Sequence, residues 1–143
     1  MVAKALSYDQ IETGLILPEI EFEISEERVK KYVQAIEDFN PVYLEDEQAL
    51  RAGFPRKIAP PAIGALFIMK VYADLGGQPD GTIHTQQSFK FCGPIYVGEI
   101  IRTSSRVIDK FIKRDRQYVL VKTHSLNSRK ELIMLGRSTF IWP

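Results

Sequence analysis

The residues best suited to chemistry lie close together in one short stretch. An apolar helical stripe runs into Glu37 and Asp38, and Asn40, Pro41 and Tyr43 follow within five residues. Two carboxylates in the last turn of a helix oppose the helix dipole, which favours cations there by roughly 0.3–1 kcal/mol. A helix built only for stability would carry lysine at that end. Asp38 therefore reads either as a turn cap or ion-pair partner, or as an acid–base group in a cleft. Asn40-Pro41 is a turn signal in either case. The chain has two histidines. His84 stands near the start of a strand, beside Gly81 and Gln86, and an imidazole with an ordinary pKa of about 6.5 suits proton transfer. Its alternative is a hydrogen-bonded structural role, and His124, among Lys122 and Ser125, is the weaker candidate. No histidine pair has metal-ligand spacing. The single cysteine, Cys92, excludes an intrachain disulfide and a cysteine-rich zinc site, so no metal is expected.

These residues sit in a chain of 143 residues, long enough to bury one core without staples. Nineteen basic residues balance eighteen acidic ones, for a net charge of +1. That balance leaves no electrostatic footprint for nucleic acid and no polybasic membrane patch. The start, Met1 to Glu12, lacks a basic segment followed by an apolar run, and the longest apolar stretch, Ile58 to Met69, is too short to span a bilayer. A cytoplasmic protein of a single domain over 1–143 is expected, with 1–14 loosely held.

The elements that must position the candidates follow from periodicity. Ile20, Phe22 and Ile24 alternate with Glu19, Glu21 and Glu23, which predicts a half-buried strand over Leu17 to Ile24. Ser25 is an N-cap, with Glu26 and Glu27 in the first turn. Val29, Tyr32, Val33 and Ile36 then form one helical stripe that ends near Asp38, before Asn40-Pro41. A short polar helix spans Glu45 to Ala52. Pro61 to Leu75 reads as a second main helix, started by proline and stopped by Gly76-Gly77. It is apolar on nearly every side and needs wrapping material. Four strands supply it: Thr82 to Phe91, Glu99 to Ile108, Gln117 to Leu126 and Glu131 to Trp142. Lys110 to Arg116 and Asn127 to Lys130 are polar connections, which predicts an antiparallel meander. The fold class is α+β, a long buried helix wrapped by a curved antiparallel sheet of the hot-dog kind.

Ala35-Ile36-Glu37-Asp38-Phe39-Asn40-Pro41-Val42-Tyr43-Leu44, with Gly53-Phe54 and Ile58-Ala59-Pro60-Pro61 downstream, resembles the MaoC-like hydratase/dehydratase family of hot-dog proteins. Gln86-Gln87-Ser88-Phe89-Lys90-Phe91, then Pro94-Ile95 and Val97-Gly98-Glu99, resembles a later segment of that family, placed on the first strand of the meander. The likeness covers roughly Ile24 to Ile141. It implies addition of water to a 2-enoyl thioester, or its removal from the 3-hydroxy compound. That chemistry needs a group to activate water at C3, a proton for C2, and a donor for the thioester oxygen. The family supplies an aspartate, an asparagine, a histidine five residues after the aspartate, and a glycine N–H at the start of the buried helix.

Here Asp38 and Asn40 match, but Tyr43 replaces the histidine and Pro61 replaces the glycine. Tyrosine, with a pKa of about 10, is a poor base at neutral pH, although it still donates a hydrogen bond. Proline has no N–H, and loss of one oxyanion donor typically costs about 100- to 1,000-fold in rate. The N–H groups of Ala62 and Ile63 are expected to remain free. Ala59-Pro60-Pro61 resembles the N-terminal-type half of two-hot-dog dehydratases and the matching subunit of heteromeric ones. The resemblance thus implies a substrate-binding subunit whose Asp/His pair is completed by a partner hot-dog chain.

The alternatives are a self-sufficient homodimeric hydratase using Asp38 with Tyr43 or His84, and a hot-dog thioesterase or non-enzymatic acyl-thioester binder. Candidate catalytic residues are Asp38, Asn40, Tyr43 and His84. Candidate substrate-binding residues are Ala59, Pro60, Pro61, Ala62, Ile63 and Gln86. No cofactor is expected beyond coenzyme A or an acyl carrier as the substrate's own handle. Lys110, Lys113, Arg114 and Arg116 are a minor candidate for contacting that handle. An open sheet edge and a half-built cleft imply a second hot dog, identical or not.

Overall fold

The computed structural model describes residues 4–74 and 76–143. The first strand, β1 (Ile20–Glu23), buries Ile20 and Phe22 and exposes Glu21 and Glu23, as the alternation predicts. It is shorter than expected, and Ile16 adds one isolated bridge to Arg106. The Ser25 hydroxyl accepts the Arg28 N–H at 3.2 Å and caps α1 (Glu26–Ile36). This helix stops earlier than Asp38, because Glu37 turns left-handed at φ 56° and the Asp38 N–H returns to the Val33 carbonyl at 3.2 Å. Asp38 thus lies beyond the helix, not in its last turn. A single 3₁₀ turn at Pro41–Tyr43 leads to α2 (Asp46–Arg51).

Pro61–Ile63 forms another 3₁₀ turn before α3 (Gly64–Asp74). Helical hydrogen bonding therefore starts later than Pro61, and the expected end at Leu75 lies outside the described residues. Phe67, Ile63 and Val71 are fully buried, and the Phe67 ring meets Phe22 with centroids 5.0 Å apart. Glycine at 64 lets the helix approach the sheet, since a Cβ there would collide with the Met134 sulfur. One side of α3 is not wrapped. Met69 is 65% exposed, and Ala65 and Leu66 are half-buried, because the sheet ends beside this line of the helix.

Four further strands complete one antiparallel sheet: β2 (Ile83–Phe91), β3 (Ile100–Lys113), β4 (Arg116–Leu126) and β5 (Leu132–Trp142). Its order is β1-β3-β4-β5-β2. The expected meander is β3-β4-β5. The strand carrying Gln86 is not its first member but lies at the far edge, against β5. Lys110 to Arg116 is not a loop either. Both strands continue through it, with Lys110 opposite Val119, until Arg114 and Asp115 make a two-residue turn with φ of 51° and 59°.

The inner face carries more than hydrocarbon. Thr103 and Ser125 face each other in register and share a hydrogen bond at 2.8 Å, and Ser105 and Thr123 do so at 3.2 Å. All four are buried, and pairing answers the cost of removing hydroxyls from water. The outer face carries Arg106, Lys122 and Arg137 directly opposite one another across three strands. The amino-terminal segment is tied down from residue 6 rather than loose. Tyr8 and Ile11 are buried, the Trp142 indole N–H donates to the Leu6 carbonyl at 2.9 Å, and Lys110 Nζ donates to the carbonyls of Tyr8 and Ile11. No helix among the described residues is long and apolar enough to cross a membrane.

Candidate functional site

The stretch from Asp38 to Tyr43 is held by its own side chains. Asp38 Oδ1 accepts the Asn40 N–H at 3.3 Å, and Asn40 Oδ1 accepts the Val42 N–H at 3.2 Å. Both residues thus do the turn-capping that short polar side chains do at such positions. The Asp38 residue stays exposed. Tyr43 is half-buried, and burial pushes its phenol above the ordinary value, aided by the charge of Asp38. At neutral pH this phenol is a donor beside a carboxylate and not a base.

A second strip of backbone lies against this turn. The Ile58 N–H donates to the Val42 carbonyl at 3.2 Å, and the Ala59 N–H donates to Ile95 at 2.7 Å. The Asp46 carboxylate accepts the Lys57 N–H at 3.0 Å, while Lys57 Nζ pairs with Glu26. Residues 57–60 are therefore gripped from both sides and deliver the chain to the start of α3. Ala59 and Pro60 are buried there, and Pro61 and Ala62 are exposed. Ile63 departs from expectation. Its side chain is fully buried in the core, and its N–H donates to the Pro60 carbonyl at 3.0 Å, because a 3₁₀ turn closes on the third residue back. Of the amides from Ala59 to Gly64, only that of Ala62 has no hydrogen bond to the described residues.

Glu99 is a supporting residue that sequence reading missed. It is buried, accepts the Tyr96 N–H at 3.2 Å and lies 3.8 Å from Arg56, whose guanidinium covers the Tyr96 ring. It braces the crossing of 95–98 under residues 57–59. A lone acid between glycine and an apolar strand was the available signal.

His84 is elsewhere. Its Nε2 lies 3.1 Å from Gln87 Oε1, which also accepts from the Ser138 hydroxyl at 2.6 Å, and its ring lies over Phe140. No hydrogen bond joins His84 to Asp38 among the described residues. The pairing of β2 with β5 shifts between His84 and Gln86, where Thr85 is the extra residue. A strand without that bulge would put 84 and 86 on one face; with it, 84 and 87 share the face. Accordingly Gln87, not Gln86, lines a cavity of about 160 Å³ with His84, Ala65, Ile68, Met69, Tyr72, Gln78 and Phe140. Lys110 is committed to the amino-terminal segment, which removes it from the basic cluster and leaves Lys113, Arg114 and Arg116 exposed at the hairpin tip. No group of three potential metal ligands occurs among the described residues.

A helix laid on a five-stranded antiparallel sheet in this strand order, with a polar turn beside the helix start, defines a hot-dog domain. Residues 13–135 match the family pattern described as "FAS1-like, dehydratase domain region", and the chain belongs to the MaoC-like hot-dog dehydratase family. Among relatives, a UPF0336 protein of Saccharopolyspora erythraea is 28% identical over 126 residues, which covers 84% of this chain and 81% of that protein. Among solved structures, the R-hydratase PhaJ1 from Pseudomonas aeruginosa superposes with a TM-score of 0.85 at 23% identity, covering 99% of this chain and 88% of that one. The HadBC (3R-hydroxyacyl-ACP dehydratase) complex from Mycobacterium tuberculosis gives 0.80 at 20% identity, covering 90% and 96%.

Proposed function

We propose that this chain is the substrate-binding subunit of an (R)-specific 2-enoyl-thioester hydratase or 3-hydroxyacyl-thioester dehydratase, with the catalytic Asp/His pair supplied by a partner hot-dog chain. One observation carries the reading. The position five residues after Asp38 holds a phenol that burial and Asp38 keep protonated, where water activation needs a base. The helix start points the same way. Pro61 offers no N–H and Ile63 has spent its own, so Ala62 is left as the single amide for a thioester oxygen. The cradle survives while the proton-handling half is reduced. The structure of HadBC, a complex of this fold, supports a two-chain arrangement, and the exposed β2 edge is where a second hot dog would extend the sheet.

The test is hydration of a crotonyl-type thioester by the purified chain, alone and mixed with a hot-dog chain that carries an intact Asp-x-Asn-Pro-x-His. Near-background turnover alone, with turnover in the mixture that depends on this chain, is expected. Ordinary enzymatic turnover by this chain alone, lost in Asp38→Asn, would overturn the proposal in favour of a self-sufficient enzyme.

A further inference from the structure

The cavity between α3 and β2 has an unusual inner end. Ala65, Ile68, Met69 and Tyr72 follow one another at helical spacing, so they form a single line along α3. From Ala65 to Tyr72 that line is about 10 Å long, and it begins one turn after the Pro61–Ile63 entry. At its end stands Tyr72, 7% exposed, packed edge-on to Phe140 with centroids 5.2 Å apart. Beyond Tyr72 lies a residual apolar void of about 20 Å³, lined by Leu15, Leu17, Val107 and Trp142 among others, so the tyrosine is the wall between the two spaces.

Two polar atoms of residues that line this cavity are buried and have no hydrogen-bond partner among the described residues: the Tyr72 hydroxyl and Gln78 Nε2. Leaving such a group unpaired is destabilising, which a plain hydrocarbon pocket would avoid with phenylalanine and leucine. A third group faces the same space. His84 lines it, with Nε2 3.1 Å from Gln87 Oε1. A largely apolar lining thus includes two unpaired donors, on Tyr72 and Gln78.

We propose that this cleft takes an acyl group bearing an oxygen function, a hydroxyl or carbonyl, at its far end, received by Tyr72 and Gln78. The inference rests on the acyl-thioester reading above and names its substrate class. The volume is close to the roughly 150 Å³ that holds one benzene, which sets the acyl portion at about six heavy atoms. Burial holds the Tyr72 phenol above its ordinary pKa, so the hydroxyl stays a donor throughout the physiological range.

Calorimetric titration of the chain with two isosteric ligands, 6-hydroxyhexanoyl-coenzyme A and heptanoyl-coenzyme A, tests this. The hydroxylated ester is expected to bind about tenfold more tightly, the worth of one well-made hydrogen bond. In Tyr72→Phe and in Gln78→Leu that ratio falls toward one, with thermal unfolding as the check on folding. Equal or weaker binding of the hydroxylated ester to the unmodified chain would overturn this inference and leave the thioester reading standing. A ratio that survives both substitutions would also overturn it. Failure of both esters to bind would overturn the thioester reading and this inference together.

Discussion

Asp38 serves the backbone as well as any substrate, and the two roles separate by substitution. Its Oδ1 accepts the Asn40 N–H, a task that an asparagine oxygen performs equally well. Asp38→Asn is therefore expected to keep the unfolding free energy from urea denaturation within a few tenths of a kcal/mol, whereas Asp38→Ala loses about 1 kcal/mol. A similar loss in both would show that the charge, not the turn, is what matters. Tyr72 gives a pH signature. Its folded pKa lies above the 10.0 of an exposed phenol because burial disfavours the phenolate, so the folded chain holds a proton that the unfolded chain releases. The stability this contributes is whole below pH 10 and falls as pH rises beyond it. Urea denaturation at pH 8 and pH 11 should show a smaller alkaline loss in Tyr72→Phe than in the unmodified chain. An identical loss in both would place the titrating group elsewhere.

At the scale of elements, the sheet has two dissimilar edges. β1 is four residues long and flanked by the amino-terminal segment. β2 is nine residues long, contains no proline, and leaves Ile83 and Phe91 exposed. A long uncovered edge beside the open flank of α3 asks for a neighbour. Sedimentation is expected to find a dimer of this chain, or a heterodimer with its partner, and Phe91→Lys is expected to weaken it by placing charge on the edge. A purified chain that sediments as a monomer, and that no partner hot dog converts to a dimer, would count against edge pairing.

At the scale of the whole molecule, the outer face shows what its charges do to stability. Arg106, Lys122 and Arg137 stand opposite one another with no carboxylate paired to any of them among the described residues. Like charges in register repel by roughly 0.2–1 kcal/mol per pair. Lys122→Glu is expected to raise stability by about 1 kcal/mol at low salt, with the gain shrinking as salt is added. Much of the architecture was legible in local pattern: the β1 alternation, the Ser25 cap, the α1 stripe and the meander each follow from neighbours in sequence. Other features depend on partners far along the chain. The edge position of β2 is set by pairing with β5, and the exchange of Gln87 for Gln86 by a one-residue bulge. The commitment of Lys110 depends on carbonyls about a hundred residues away. At the site, Asp38, Asn40 and Tyr43 were legible as a group because they are adjacent. Ile63 was misplaced because no spacing rule separates a 3₁₀ turn from the first turn of an α-helix.

The paired hydroxyls of β3 and β4 have a consequence for assembly. With Thr103 against Ser125 and Ser105 against Thr123, sliding β4 by two residues in either direction preserves which side chains point inward but sets a hydroxyl against Val121 or Asn127. Hydrocarbon alone would tolerate that displacement, since valine packs on valine in many alignments. The four alcohols do not, and so work as a vernier: the hairpin can collapse early in several offsets, but only one of them satisfies every oxygen before the helix closes over it.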